Sequence, residues 1–356
     1  MRRALKLARR GLFTTQPNPR VGCVIVRDGE VVGEGWHARA GEPHAEVFAL
    51  RAAGERARGA TAYVTLEPCS HHGRTPPCAD ALVDAGVARV VVASADPNPK
   101  AMGGVDTLRA AGITVETDLM REPARELNIG FFSRLERGRP WVRLKLAMSL
   151  DGRTALANGE SKWITGEAAR EDVQRWRARS SAILTGSGTA LADDPRLTVR
   201  LDVPFTPPLR VVLDRHLRTP AGSHLLDGTA PTVLLHTASA RPASRHGAVA
   251  CHVVREAGAG LDLAAVLAWL ADREVNELHV EAGAVLSGAL VQAGLVDELL
   301  VYVAPVLLGS EARPLLDMPS PVAMADRGSW RLLDETRLGD DVRMRFRPAR
   351  HSGTTR

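Results

Sequence analysis

The feature that most restricts this chain is a set of donors scattered in sequence: His44, Cys69 and Cys78, with Glu46 two residues past the histidine. One imidazole and two thiols are the donor set of a zinc ion with one open position, and zinc lowers the pKa of a water held there to about 7. Glu46 then has a task other than ligation, carrying a proton from that water to a leaving nitrogen. Any fold that uses this chemistry must bring positions 44, 69 and 78 together. The intervening Ser70-His-His-Gly-Arg-Thr-Pro-Pro77 must therefore loop out of the site.

Two plainer readings compete. Isolated cysteines are commonly small buried apolar residues, and a closed structural zinc site would take His71 or His72 as fourth ligand. Neither gives Glu46 a task. Glu42-Pro43-His44 reads as a helix start continued by Val47, Phe48, Leu50 and Ala53. Thr75-Pro-Pro-Cys78 reads as another, continued by Ala81, Leu82 and Val83. Ligands at helix N-termini sit where the backbone field favours thiolates. The catalytic reading is therefore preferred. His-x-Glu with a downstream Pro-Cys and a second Cys is the pattern of zinc nucleobase deaminases, here with a longer spacing between the cysteines.

Composition bounds the rest. A chain of 356 residues with 45% hydrophobic content suits two domains, each with its own core. The net charge of +5 is interspersed, with no long basic run away from the ends, which suits an anionic small molecule better than a nucleic-acid track. Four cysteines, two of them assigned to metal, argue against a disulfide framework and for a reducing cytoplasm. Cys23 and Cys251 lie in apolar runs and read as inert core thiols. No stretch approaches the roughly 20 apolar residues of a membrane span, and the basic N-terminus lacks a signal peptide's apolar run.

The first half alternates strand and helix patterns. These are a helix over 3–12, a hairpin over 21–37 turning at Asp28-Gly29, the His44 helix, strands at 62–66, 87–93 and 113–116, and helices at 105–111 and 123–135. The alternation predicts an α/β layer with one central sheet, the zinc helices on one face and the site at one edge. Arg137-Gly-Arg-Pro140 reads as a linker, giving domains over 1–139 and 140–347, with 348–356 a disordered tail. In the second half, strands are expected at 141–148, 182–186, 209–214, 232–236, 249–254, 277–281, 298–303, 331–333 and 342–346. Helices are expected at 167–179 and 261–270, and a last one ends at 293. The glycine-bearing turn at 283–288 could cradle a phosphate. It is neither a Walker A loop nor Gly-x-Gly-x-x-Gly, and helix-packing glycines would look the same. Asp193-Asp194 reads equally as a metal-binding pair or a loop cap. Arg177 and Arg200 read as phosphate ligands or as solvated surface residues.

Together these stretches resemble one family, the bifunctional riboflavin-biosynthesis deaminase–reductases. The resemblance is carried by Pro17-Asn-Pro19, Gly41-Glu-Pro-His-Ala-Glu46, the long segment Thr65 to Cys78, and Asp96-Pro-Asn-Pro99. In the second half it is carried by Lys145-Leu-Ala-Met-Ser-Leu-Asp-Gly-Arg-Thr154, Glu160-Ser-Lys-Trp-Ile-Thr165, Leu191-Ala-Asp-Asp-Pro195, Val280-Glu-Ala-Gly283 and Gly294-Leu-Val-Asp-Glu298. It implies a cytidine-deaminase-like three-layer α/β/α domain followed by a dihydrofolate-reductase-like α/β domain. The first domain would deaminate 2,5-diamino-6-(5-phosphoribosylamino)pyrimidin-4-one hydrolytically. The second would reduce the ribosyl group to ribityl with NADPH.

The same resemblance implies residue roles. His44, Cys69 and Cys78 would hold Zn2+ and Glu46 would move the proton. Asn18, Asp96 and Asn98 would line the pyrimidine pocket, with Arg74 facing the phosphate. Ala147, Trp163, Thr189, Asp193 and the turn Gly283, Ala284, Val285, Leu286, Ser287, Gly288 and Ala289 would bind NADPH. Ser161, Arg177, Leu197, Arg200 and Glu281 would bind substrate. The expected partners are a phosphorylated pyrimidine and a second copy of the chain, a homodimer foremost, with no nucleic acid and no membrane. The general acid of the reduction is open among Lys145, Asp193 and Glu281. Two departures from the family pattern are an N-terminus shorter by a few residues and Arg215 after Asp214, where a small polar residue is expected. The rivals are a nucleoside or nucleic-acid deaminase fused to a separate reductase, and a zinc-stabilised binding protein. The nucleic-acid rival calls for stacking aromatics near the metal motif, and those of the first half are scattered along the sequence.

Overall fold

The computed structural model describes residues 1–71, 76–243, 246–247 and 249–349. The chain divides into two units, Met1–Arg139 with Pro204–Thr206, and Pro140–Val203 with Pro207–Arg356.

In the first unit, helix α1 (Arg2–Ala8) precedes strands β1 (Gly22–Arg27) and β2 (Glu30–Trp36). Asp28 and Gly29 both take positive φ, 51° and 82°, which makes the tight turn that pairs the two strands antiparallel. Then come α2 (Ala45–Ala53), β3 (Thr61–Val64), α3 (Cys78–Asp84), β4 (Arg89–Val92), α4 (Gly104–Ala110), β5 (Thr114–Glu116), α5 (Arg121–Leu127) and α6 (Ile129–Arg137). The sheet order is β2-β1-β3-β4-β5, with β3, β4 and β5 parallel and β1 antiparallel to β3. Ile25, Ala62, Val64, Val90 and Val92 of the sheet pack with Ala45, Ala49, Leu82, Leu108 and Phe132 of the helices in one buried core. The single helix expected over 123–135 is two, broken at Asn128. That side chain is 2% exposed and pairs with the backbone of Arg20, accepting from its N–H at 2.7 Å and donating to its carbonyl at 2.9 Å.

The second unit begins with β6 (Trp141–Ser149), β7 (Arg153–Ala155), α7 (Glu167–Arg179), β8 (Ala182–Gly186), α8 (Ser187–Asp193) and β9 (Leu209–Leu213). It continues with β10 (Thr232–His236), β11 (Ala250–Val253), the small pair β12 (Glu256–Ala257) and β13 (Gly260–Leu261), α9 (Leu263–Ala271), β14 (Glu277–Val280) and α10 (Ala284–Gln292). It closes with β15 (Glu298–Ala304), β16 (Arg313–Pro314), β17 (Trp330–Leu338) and β18 (Asp341–Pro348). Nine strands form one sheet in the order β11-β10-β9-β8-β14-β6-β15-β18-β17, parallel as far as β15 and antiparallel thereafter. A parallel sheet is covered on both faces, so its strands read as near-continuous apolar runs. That is why 182–186, 209–214 and 232–236 were legible as strands.

Further differences from expectation lie in short or edge elements, the unexpected α8, β12 and β13 among them. Strand β17 spans nine residues, not three, because polar residues fill its edge stretch Asp334-Glu-Thr-Arg337, with Glu335 and Arg337 exposed and Asp334 and Thr336 accepting from Arg343 and Arg345. The short strands β7 and β16 pair with each other and leave no periodic signal. Pro348 ends β18 and the Ala349 N–H bonds the Ser329 carbonyl at 2.9 Å, while residues 350–356 of the expected tail lie outside the described residues. No described helix is long and apolar enough to cross a membrane.

Candidate active sites

The three donors expected to hold a metal meet in the first unit. His44 is the N-cap of α2, Cys78 is the first residue of α3, and Cys69 lies in the segment leaving β3. Because β3 is the middle strand of five, the site stands beyond the end of the central strand and not at a sheet edge. Two glycines of β2 set the height of α2. A Cβ on Gly33 would come within 2.2 Å of the Ala49 carbonyl, and one on Gly35 within 2.2 Å of the Ala45 carbonyl. Only bare backbone lets the helix that carries His44 and Glu46 lie this close to the strand.

His44 Nδ1 stands 3.3 Å from Cys78 Sγ and 3.6 Å from Cys69 Sγ. Tetrahedral zinc with ordinary Zn–S and Zn–N bonds requires an N···S edge of about 3.5 Å, so the geometry fits. Among the described residues no fourth His, Cys, Asp or Glu joins the cluster. His71 is exposed and His72 lies outside the described residues, so nothing described closes the site. The Cys69 thiol titrates far below its ordinary value, at about 4, because the Cys78 side chain donates to it and His44 adds its support. Cys78 is pushed the other way by the same hydrogen bond and by burial. His44 is raised by its hydrogen bond to Cys69.

Glu46, in the first turn of α2, is 3% exposed, and its Oε2 is buried without a hydrogen-bond partner. Burial pushes its carboxyl up to about 7. A buried carboxylate oxygen without a protein partner beside three metal donors is placed for acid–base work. The substrate positions expected for this half have the following surroundings. Asn18 Nδ2 lies 3.1 Å from His37 Nε2, and the His37 ring packs edge-on to His44 with centroids 5.3 Å apart. Asp96 is 8% exposed, burial raises its carboxyl to about 6, and its Oδ1 accepts from the Asn98 N–H. Arg74 lies outside the described residues. Sequence reasoning missed His37 and the buried Glu67, whose contacts are made largely with backbone.

The second unit holds a cleft of about 1700 Å³. It is lined by Ala147, Ser161, Trp163, Arg177, Thr189, Asp193, Leu197, Arg200, Glu281, Gly283, Ala284, Val285, Leu286 and Ala289, all expected site residues. Ser287 and Gly288 do not line it. The Ser287 hydroxyl donates to the Ala282 carbonyl, and a Cβ on Gly288 would strike the Asp317 carbonyl at 2.0 Å, so both serve packing. Gly283 is the N-cap of α10 and its N–H donates to Thr189 Oγ1 at 3.1 Å. This open turn at a helix N-terminus suits a pyrophosphate.

Arg177 and Glu281 are committed to each other. The guanidinium donates to both carboxylate oxygens at 2.5 and 2.9 Å, and to the Thr198 carbonyl at 3.0 Å. Burial would raise Glu281, but the Arg177 charge outweighs it and holds the carboxyl well below its usual range. Lys145, also on the cleft wall, is lowered by burial, with Glu281 opposing. Asp194 caps a loop, with its Oδ1 accepting from Ser223 Oγ at 2.7 Å and the His224 N–H at 2.9 Å. Arg215 donates to Glu256 and to the Ala259 carbonyl. Arg218 donates to Ser187 Oγ at the start of α8 and also lines the cleft.

Comparison with known proteins bears on both units. Residues 1–94 match the cytidine and deoxycytidylate deaminase zinc-binding region, and residues 140–343 match the RibD C-terminal domain. The riboflavin biosynthesis protein RibD of Escherichia coli is 52% identical, with 96% of each chain covered. The solved structure of Acinetobacter baumannii RibD superposes with a TM-score of 0.92 at 47% identity, covering 98% of both chains. A Thermotoga maritima diaminohydroxyphosphoribosylaminopyrimidine deaminase/5-amino-6-(5-phosphoribosylamino)uracil reductase superposes at 0.88 with 32% identity, covering 98% of this chain and 97% of that one. With both halves matched in order and near-complete coverage of its relatives, the chain belongs to the RibD family of bifunctional riboflavin-biosynthesis enzymes, a deaminase domain followed by a reductase domain.

Proposed function

We propose that the first domain removes an amine from 2,5-diamino-6-(5-phosphoribosylamino)pyrimidin-4-one by hydrolysis and that the second reduces the ribosyl side chain to ribityl with NADPH. The observation that carries the deaminase reading is the convergence of three donors on one point, with the unpartnered Glu46 oxygen beside them. His44, Cys69 and Cys78 would hold zinc. Bound zinc supplies Lewis acidity, bringing a water's pKa to about 7. Glu46 takes the proton that the attacking water gives up and delivers it to the departing nitrogen, so water and the aminopyrimidine become the pyrimidinone and ammonia. The buried, unpartnered oxygen of Glu46 beside the three donors is placed to accept that proton and return it. Asn18, Asp96 and Asn98 orient the ring in the same pocket.

In the reductase domain NADPH supplies the hydride. Thr189, Asp193, Trp163, Ala147 and the turn of 283–286 with Ala289 would hold it, and Ser161, Leu197, Arg200 and the Arg177–Glu281 pair would hold the substrate. Arg177 and Glu281 bind each other, so Glu281 stays an anion and is the poorest of the three proton donors. Lys145 and Asp193 both line the cleft and are the two donors left, Lys145 with its proton loosened by burial. Arg218 beside Ser187 supplies a cation for a cofactor phosphate, which supports NADPH over NADH. A cytoplasmic setting belongs to the same proposal, since Cys69 and Cys78 must stay reduced to bind metal. So does a homodimer, which sedimentation at micromolar concentration tests. The deciding experiment incubates the full chain with the diaminopyrimidine phosphate, with and without NADPH. Ammonia release in both arms with NADPH oxidation following it is expected, and NADPH oxidation without ammonia would overturn the order of steps.

A further inference from the structure

Glu67 is a buried carboxylate that the mechanism above does not use. It leaves β3 two residues before Cys69 and is 8% exposed. Among the described residues no lysine or arginine pairs with it. Its partners are three backbone N–H groups, one in the loop after β4 and two at the N-terminus of α4, where that loop ends. Oε2 accepts from Asp96 at 3.2 Å, and Oε1 accepts from Gly103 at 3.0 Å and Val105 at 3.1 Å. The segment around it adds parallel ties. The Glu67 N–H donates to the Ser94 carbonyl at 2.9 Å and the Ser70 N–H to the Ala101 carbonyl at 3.1 Å. Ser70 Oγ donates to the Met102 carbonyl at 2.6 Å. A Cβ on Gly104 would lie 1.7 Å from the Pro68 carbonyl, so the two segments touch backbone to backbone.

The loop so held carries Asp96 and Asn98. Its own bonds are local, from the Asn98 N–H to Asp96 Oδ1 and from the Lys100 N–H to Asn98 Oδ1, so they shape the loop without fixing where it stands. Its ends are set by β4 and α4, and between them its ties to the Cys69 segment come from residues 67–70. We infer that Glu67 is a positioning residue: its carboxylate sets the distance between the metal-ligand segment and the Asp96–Asn98 loop, and so sets the affinity for the pyrimidine. The inference rests on the reading of Asp96 and Asn98 as pyrimidine contacts. A carboxylate is the only side chain of this length with two acceptor oxygens and no donor. In Glu67→Gln one oxygen becomes an NH2 that faces backbone N–H groups, and the loop must move away from it.

The test uses the zinc-loaded full chain and ammonia release over a range of diaminopyrimidine phosphate concentrations. Glu67→Gln is expected to raise KM about tenfold, the loss of roughly one substrate hydrogen bond, with kcat nearly kept. Zinc content and the reduction of pre-deaminated substrate should stay unchanged. Asn98→Ala should raise KM as well, and the double variant should be no worse than the worse single one, because both act through the same contact. A lowered kcat and melting temperature with KM unchanged would mean a merely structural role and would overturn the inference. If Asn98→Ala raises KM and Glu67→Gln does not, the inference about Glu67 fails while the pocket reading stands. If Asn98→Ala leaves KM unchanged, the pocket reading fails and the inference with it. Should Glu67→Gln not fold, Glu67→Asp keeps both acceptor oxygens on a stem one carbon shorter and must draw the loop inward or lose its bonds, and an unchanged KM in that variant overturns the proposal equally.

Discussion

Gly35→Ala tests whether the helix carrying the catalytic carboxylate is placed by the strand beneath it. The added Cβ would lie 2.2 Å from the Ala45 carbonyl oxygen and 2.7 Å from both Ala49 N and Phe48 Cβ. Ordinary contact starts at 3.4 Å, so relief along the shortest line needs a shift of 1.2 Å, the difference of 3.4 and 2.2. Ala45 sits between His44 and Glu46, so that shift falls on the proposed metal ligand and the proposed proton carrier together. Misplacing reacting groups by about 1 Å costs on the order of 10²-fold in rate, and overpacking costs about 1–3 kcal/mol of stability. Gly33→Ala is the matched control. It makes the same 2.2 Å clash at the Ala49 carbonyl, one turn further along α2, with a similar stability loss but a smaller rate loss. The assay reads kcat/KM for ammonia release, zinc content, the thermal midpoint and the rate with pre-deaminated substrate in both variants. Deaminase kcat/KM should fall about 10²-fold in Gly35→Ala, with the reductase rate kept. A stability loss without a rate loss would refute the reasoning, since it would mean that β2, an edge strand, yields instead of the helix.

Three further outcomes are expected. Glu46→Gln should keep zinc, because Glu46 is outside the donor cluster, and lose about 10²–10⁴-fold in ammonia release; a fully active variant would remove Glu46 from the proton path. Acid should unfold the reductase domain through Glu281 and Glu298, both held below their ordinary value of 4.5 despite burial, the first by Arg177 and the second by Arg143 and Arg345. Carboxyls depressed in the folded state stabilise it above the unfolded value and release that stability as pH falls, so the urea midpoint should be flat above about pH 5 and drop below about 4.5; a midpoint constant down to pH 3 contradicts this. Arg218→Ala should weaken NADPH binding about tenfold by titration calorimetry while leaving NADH nearly unchanged, the loss expected for one charge-assisted phosphate contact. Equal weakening of both would place Arg218 away from the distinguishing phosphate.

The parts of this molecule legible in its sequence are those in which residue type alone carries the chemistry. Few structures other than a metal site ask for His44, Cys69 and Cys78 together, so their convergence followed from their identities, and the apolar runs of the parallel sheet gave its strands by the same logic. What stayed hidden depends on partners that leave no mark of their own. Asn128 splits a helix by pairing with the backbone of Arg20, 108 positions away, and Glu67 holds a loop by its amide hydrogens. Arg177 and Glu281 were each legible as site residues, but nothing in a sequence pairs positions 104 apart, and the pairing changes their chemistry. Alone, Glu281 would be a candidate acid and Arg177 a free phosphate ligand. Bound to each other they form a paired, nearly neutral part of the cleft wall, which leaves Glu281 an anion. Reading a site from sequence therefore yields its members more readily than their charge states, because the members are local facts and the charge states are set by contacts between distant segments.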